Sequence, residues 1–192
     1  MNPVIDIDNV ERCANLVMEM MWLRGGSETD FDPDWIREHG WKAVPVESMG
    51  RIPIPDIPRI VLALRNAGFR QCIAVYNELS FKQKLPLLVP MNPPGDVATC
   101  YMLDIHEADF RELNRQLGVF SFVLTNENRD WAISCGQGYN VFAGQRALLE
   151  SMLGKSIAEA RKVFQESASE LANSDPDYWP LRMARYYADW SS

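Results

Sequence analysis

Apolar residues recur along this chain at two spacings, and the change from one to the other marks out the elements. From Asp8 to Arg24, Val10, Cys13, Ala14, Val17, Met20 and Met21 fall at helical spacing, and Gly25-Gly26 supplies a residue that can end a helix in the left-handed conformation. Leu16, Met18, Trp22 and Leu23 make the other side apolar too, so this helix is expected to pack on two sides or to offer one to a partner. "TDFDPDWIRE" predicts a second, short helix. Asp32 is the N-cap, Pro33 takes the first position, where its missing N–H costs nothing, Asp34 places negative charge at the positive end, and Gly40 is the stop. The same Asp-Pro-Asp string, Asp175 to Asp177, precedes "YWPLRMARYYADW" and predicts the same kind of start; no wider similarity joins the two segments, so they are not an internal repeat.

Residues 45–58, "PVESMGRIPIPDIP", carry four prolines and read as an extended surface segment. Asp56 is the expected cap of the amphipathic helix "IPRIVLALRNAGF", with Ile57, Ile60, Val61, Leu64 and Ala67 inward and Gly68 at its end. The period then drops to that of strands. "QCIAVYN" is apolar; "LPLLVPM" and "VATCYMLDI" flank the turn "NPPGD"; "FSFVLTN" and "WAISCG" flank "ENRD"; "YNVFAG" adds one more. Asp109 with Glu112 forms a capping box for "FRELNRQLG", and Ser156 with Glu159 a second for "IAEARKVFQESASELAN", whose apolar face is Ile157, Ala160, Phe164, Ala168 and Leu171. In the C-terminal segment Trp179, Met183, Tyr186 and Trp190 line one side, leaving Arg182, Arg185 and Tyr187 outward. Helices, then mainly antiparallel strands, then helices imply an α+β fold with a central sheet of about five or six strands and helices packed on one face of it.

Composition adds bounds. With 192 residues, 47% hydrophobic and 23% charged, the chain suits a single globular domain over 1–192 that needs no disulfide or metal to hold its core. The start of the chain has no basic region, and the apolar run "LVMEMMWL" is interrupted by Glu19, so neither a secretory leader nor a membrane span is expected. Four dispersed cysteines, Cys13, Cys72, Cys100 and Cys135, read as reduced, buried thiols, which points to the cytoplasm. The net charge of −7 is uneven: residues 1–40 hold nine acids against three bases, and the other 152 residues are almost neutral. Without a cluster of Lys and Arg to neutralise phosphates, direct binding to nucleic acid or to an anionic membrane is disfavoured, and a basic protein is the easier partner.

Standard catalytic signatures fail on inspection. Asp30, Asp32 and Asp34 occupy the first acidic positions of a calcium loop, but Trp35 stands where its glycine belongs and Trp41 where its glutamate belongs. Gly154-Lys155-Ser156 resembles the end of a phosphate-binding loop, yet Leu149 replaces the required glycine and a helix replaces the strand; Gly154 as a helix stop and Ser156 as a cap explain the string. "CGQGYNVFAG" opens no helix at its glycines, and no GxSxG elbow is present. The best place for chemistry is "YMLDIHEADF": on a strand, Asp104 and His106 point to one face, where a carboxylate can orient an imidazole, and Cys100 or Cys135 can join them as a nucleophile. The one other histidine, His39, lies in a separate segment, so a His-rich zinc site lacks ligands.

These readings favour a non-enzymatic binding protein without metal or cofactor. Its most concrete form is a bacterial cytoplasmic inhibitor of the immunity-protein kind, which neutralises a basic toxin or nuclease through Glu28, Asp30, Asp32, Asp34 and Glu38. The alternatives are a small enzyme built around Asp104, His106 and a cysteine, and an adaptor subunit of a larger assembly.

Overall fold

The computed structural model describes residues 2–3, 7–24, 28–48, 51–76, 100–117, 121–136, 138–172 and 179–188. The first helix, α1 (Ile7–Met18), is shorter than its apolar pattern predicts, because Met21–Arg24 forms a strand, β2, that pairs antiparallel with β3 (Glu28–Phe31) in a separate two-stranded hairpin. The physical reason lies in the sequence itself: a helix apolar on every side needs neighbours on every side. A turn at Glu19-Met20 instead sends Met20, Met21 and Phe31 together into the core, each at most 9% exposed. Gly25 and Gly26 fall outside the described residues.

The main sheet has the order β1-β6-β5-β7-β8-β9-β4, antiparallel throughout. Six of its strands are of ordinary length, namely β4 (Lys42–Glu47), β5 (Gln71–Tyr76), β6 (Cys100–Asp104), β7 (Phe122–Thr125), β8 (Trp131–Cys135) and β9 (Tyr139–Gly144); β1 is the pair Asn2–Pro3. The remaining helices are α2 (Pro33–Glu38), α3 (Ile57–Asn66), α4 (Glu107–Leu117), α5 (Arg146–Leu153), α6 (Ile157–Leu171) and α7 (Trp179–Ala188). The fold is α+β, as the element pattern predicts. The segment "LPLLVPM", the turn after it and the cap Asp175 to Asp177 lie outside the described residues.

Helices cover both faces of the sheet, not one. On the first face Cys72, Leu103, Phe122, Trp131, Ile133 and Phe142 meet α3, α4 and α5 through Ile60, Leu64, Phe110, Leu113, Leu149 and Met152. On the second, Ile73, Val75, Cys100, Val123, Ala132 and Val141 meet α1, the hairpin, α2 and α7 through Cys13, Val17, Phe31, Ile36, Met183 and Tyr187. Helix α6 contributes Ile157 and Ala160 to the first core and Phe164 to the second, so it wraps the edge formed by β4. Buried residues therefore run unbroken along β7, β8 and β9, as strands covered on both sides require.

Several local readings differ from the structure. Residues 45–47 of the proline-rich segment are extended as expected but belong to edge strand β4, where Pro45 is buried and tolerated because the strand is at the sheet edge. Ile52, further along, is fully buried, its backbone N–H donating to Asn114 Oδ1 at 3.1 Å and its carbonyl accepting from Asn114 Nδ2 at 2.7 Å. Asp56 does not cap α3 with its side chain; its carboxylate accepts from Arg59 at 2.8 Å instead. Ala67 of this helix and Leu171 of α6 are exposed rather than inward. In α7 Pro180, Met183 and Tyr187 are buried, so Tyr187 is core, and Arg182 and Arg185 face outward.

Candidate functional site

The acidic stretch is the turn from β3 into α2, and the Asp-Pro-Asp string builds it as a helix start. Asp32 has extended backbone, its Oδ1 accepts from the Asp34 N–H at 2.8 Å, and its own N–H donates to the Met20 carbonyl at 2.9 Å, which ties the cap to the hairpin. Pro33 takes the first helical position, and Gly40, with φ of 62°, supplies the left-handed residue just past the end.

Aromatic packing fixes this helix of two turns to the sheet. The rings of Trp35 and His39 stack with centroids 3.8 Å apart, while Trp35 meets Trp41 edge-on at 4.6 Å. His39 Nδ1–H donates to the Trp35 carbonyl at 2.8 Å, Gln145 donates to the His39 carbonyl at 3.1 Å, and Ile36 and Trp41 are buried in the second core. What remains outward is Asp34, Arg37, Glu38 and His39. Asp34 accepts from Arg37 at 2.7 Å in an ion pair whose two side chains are both 74% exposed, and Glu38 has no hydrogen bond or ion pair to a described residue. Asp32 is committed to its cap. Glu28 and Asp30 belong to β3, directly before this helix, and their side chains fall outside the described residues.

The other end of the acidic N-terminal region is tied down. Arg12 and Glu19 of the α1 region reach the β7–β8 turn, Arg12 donating to Glu127 at 3.1 Å and Glu19 accepting from Arg129. These two ion pairs link the α1 region to the sheet, whereas Asp34 and Glu38 face outward from α2.

Asp104 and His106 are neighbours in the structure, but their side chains are engaged separately. Asp104 Oδ1 accepts from Gln71 Nε2 at 3.1 Å; His106 Nδ1 accepts from the Ala108 N–H at 3.2 Å, and its carbonyl accepts from the backbone of Asp109 and Phe110. His106 is thus the N-cap of α4. This displaces the capping box predicted at Asp109 and Glu112: Asp109, inside the first turn, accepts from the Asp104 N–H at 3.1 Å, and Glu112 accepts from Arg115 and Gln116, which hold its carboxyl down to about 2. Cys100 and Cys135 lie on opposite faces of the sheet, so they do not join one site.

One feature of the thiols has no sequence signal. Cys13 on α1 and Cys100 on β6 share the second core, and the neighbouring Cys100 side chain, with the nearby Arg12, lowers the Cys13 thiol below its ordinary value against the opposing effect of burial. Cys100 is pushed up by the neighbouring Cys13 and by burial, and Cys72 and Cys135 are pushed up by burial. Both residues of the pair sit at inward positions of their own element, which reads as ordinary core in each case; only the docking of α1 on the sheet joins them. Among the described residues, no three His, Cys, Asp or Glu side chains converge as metal ligands, and no helix is long and apolar enough to cross a membrane.

No protein-family model matches the chain, and no curated protein or solved structure matches it.

Proposed function

We propose that this is a cytoplasmic, non-enzymatic binding protein of the immunity type, a bacterial inhibitor that neutralises a basic toxin or nuclease through the acidic segment Glu28 to Glu38. One observation carries the reading: a short helix, locked by its cap and by the Trp35, His39 and Trp41 rings, holds Asp34 and Glu38 outward in the most acidic part of the chain. A preorganised charged surface loses little entropy on binding. The Asp34–Arg37 pair does not block it, because an exposed ion pair contributes under about 1 kcal/mol and a partner's Lys or Arg can replace Arg37. Charges of this kind steer encounter more than they add affinity, with a reach of about 8 Å at physiological ionic strength.

Affinity purification of the tagged chain from its native cells, washed in parallel at low and high salt, tests the reading. A stoichiometric basic protein retained at low salt and released at high salt is the expected result. With that partner in hand, Asp34→Lys combined with Glu38→Lys should slow association and flatten its dependence on salt. Recovery of the chain alone at both salts, or an unchanged association rate in the charge-reversed variant, counts against it.

A further inference from the structure

Away from the acidic segment, a cleft of about 170 Å³ opens between α6, strands β4 and β9, the start of α3 and the turn joining α5 to α6. Its floor is apolar: Phe142, Leu153, Ala160 and Phe164 are each at most 6% exposed, and Val163, 48% exposed, forms the rim. Four charged side chains stand around this floor, and their hydrogen bonds divide them by sign. Asp56 accepts from Arg59 at 2.8 Å and Glu47 accepts from the Ser167 hydroxyl at 2.5 Å, so both carboxylates are engaged. The cations retain donors. Arg59 uses Nε on the Met152 carbonyl at 2.8 Å and Nη2 on Asp56, while its Nη1 has no hydrogen bond to a described residue; Lys155 is exposed and has none either.

The Arg59 guanidinium is also held in place. Gly154 lies against it so closely that a Cβ there would stand 2.7 Å from Arg59 Cδ. A planar fork held beside an apolar floor suits a planar carboxylate attached to an apolar body. Size sets the body: cavities of about 150 Å³ take a benzene ring. Charge sets the head group: the free donors on Arg59 and Lys155 serve one carboxylate, whereas the second charge of a phosphate monoester would meet Asp56 and Glu47 with no further cation in the cleft lining.

We propose that this cleft binds a small monocarboxylate with an aromatic or branched aliphatic body, the body on Phe142 and Phe164 and the carboxylate toward Arg59 and Lys155. The site is independent of the acidic segment and of any protein partner there.

The test is a titration of the isotope-labelled full chain with benzoate, phenylacetate and 4-methylpentanoate, followed by amide NMR, with benzamide as the neutral counterpart and phenyl phosphate as the dianion. Saturable shifts confined to β4, β9, the start of α3, the α5–α6 turn and α6 are expected, with benzoate binding about five- to ten-fold more tightly than benzamide or phenyl phosphate. Lys155→Glu, on an exposed side chain that leaves the core untouched, should weaken benzoate by about ten-fold without changing the affinity for benzamide. Arg59→Lys keeps the charge but loses the fork and should weaken benzoate as well. Absence of saturable shifts with all three acids, equal binding of benzoate and benzamide, or insensitivity to Lys155→Glu would each overturn the proposal.

Discussion

Asp32 illustrates how one residue can carry both a structural and an electrostatic reading, and how substitution separates them. Its carboxylate caps α2 and its backbone N–H reaches Met20, so the cap joins the helix to the hairpin. Asp32→Ala should destabilise the fold by about 1 kcal/mol, whereas Asp32→Asn keeps an acceptor and should cost little, both measured by urea unfolding at neutral pH. Because Asp32→Asn removes the charge and keeps the cap, it also reports on partner binding without disturbing the support. This cap was legible in the sequence, as was Ser156, whose hydroxyl accepts from the Glu159 N–H at 3.2 Å. The cap of α4 was not. The string "DIHEADFRE" offers several residues able to cap, and the choice of His106 over Asp109 follows from where β6 ends, which depends on its pairing with β5.

At the scale of elements, the clearest departure from the sequence reading is the proline-rich segment. Prolines signal the absence of ladder donors, but an edge strand tolerates that absence, and the alternation that leaves Ile52 inward is hidden among them. Buried side chains hold the segment: Asn140 donates to the Arg51 carbonyl at 2.8 Å, and the amide of Asn114 satisfies both the N–H and the carbonyl of Ile52. Asn114→Ala would leave two buried backbone groups without partners, and a loss of about 2–4 kcal/mol is expected in chemical denaturation, well above the cost of removing an exposed polar side chain. The turn between α5 and α6 depends on a residue with a different property. Gly154 adopts φ of 68° and has Arg59 against it, so Gly154→Ala combines a left-handed backbone with a clash. It should cost about 1–2 kcal/mol. In a double-mutant cycle, Arg59→Ala should recover the part due to the clash and leave the backbone part, and additivity of the two substitutions would exclude the contact.

For the whole molecule, the uninterrupted apolar strands "FVLT", "WAISC" and "YNVFAG" already imply burial on both faces, yet the order of helices and strands suggested one face, because a linear order does not say which side of the sheet each helix takes. That assignment is made in three dimensions, and it decides the environments of the four thiols: Cys72 and Cys135 face one core, Cys13 and Cys100 the other. The pH dependence of stability follows from this division. Cys72, Cys135 and Cys100 titrate above the ordinary thiol value of 9.0, so below pH 9 they are protonated in folded and unfolded chain alike and contribute no slope. Above pH 9 the unfolded chain releases protons that the folded chain keeps, and stability should fall, by about 1.4 kcal/mol per pH unit for each thiol concerned. Cys13 has the opposite sign. Lowered below the ordinary thiol value, it is ionised in the folded chain before the unfolded one, so its contribution grows as pH rises toward 9 and stays constant above. Urea unfolding across pH 6 to 11 should therefore show a rise in the thiol contribution followed by a steeper fall. Cys13→Ser should remove the rise and Cys135→Ala should reduce the fall. A rise that survives Cys13→Ser would show that Cys13 is not its source.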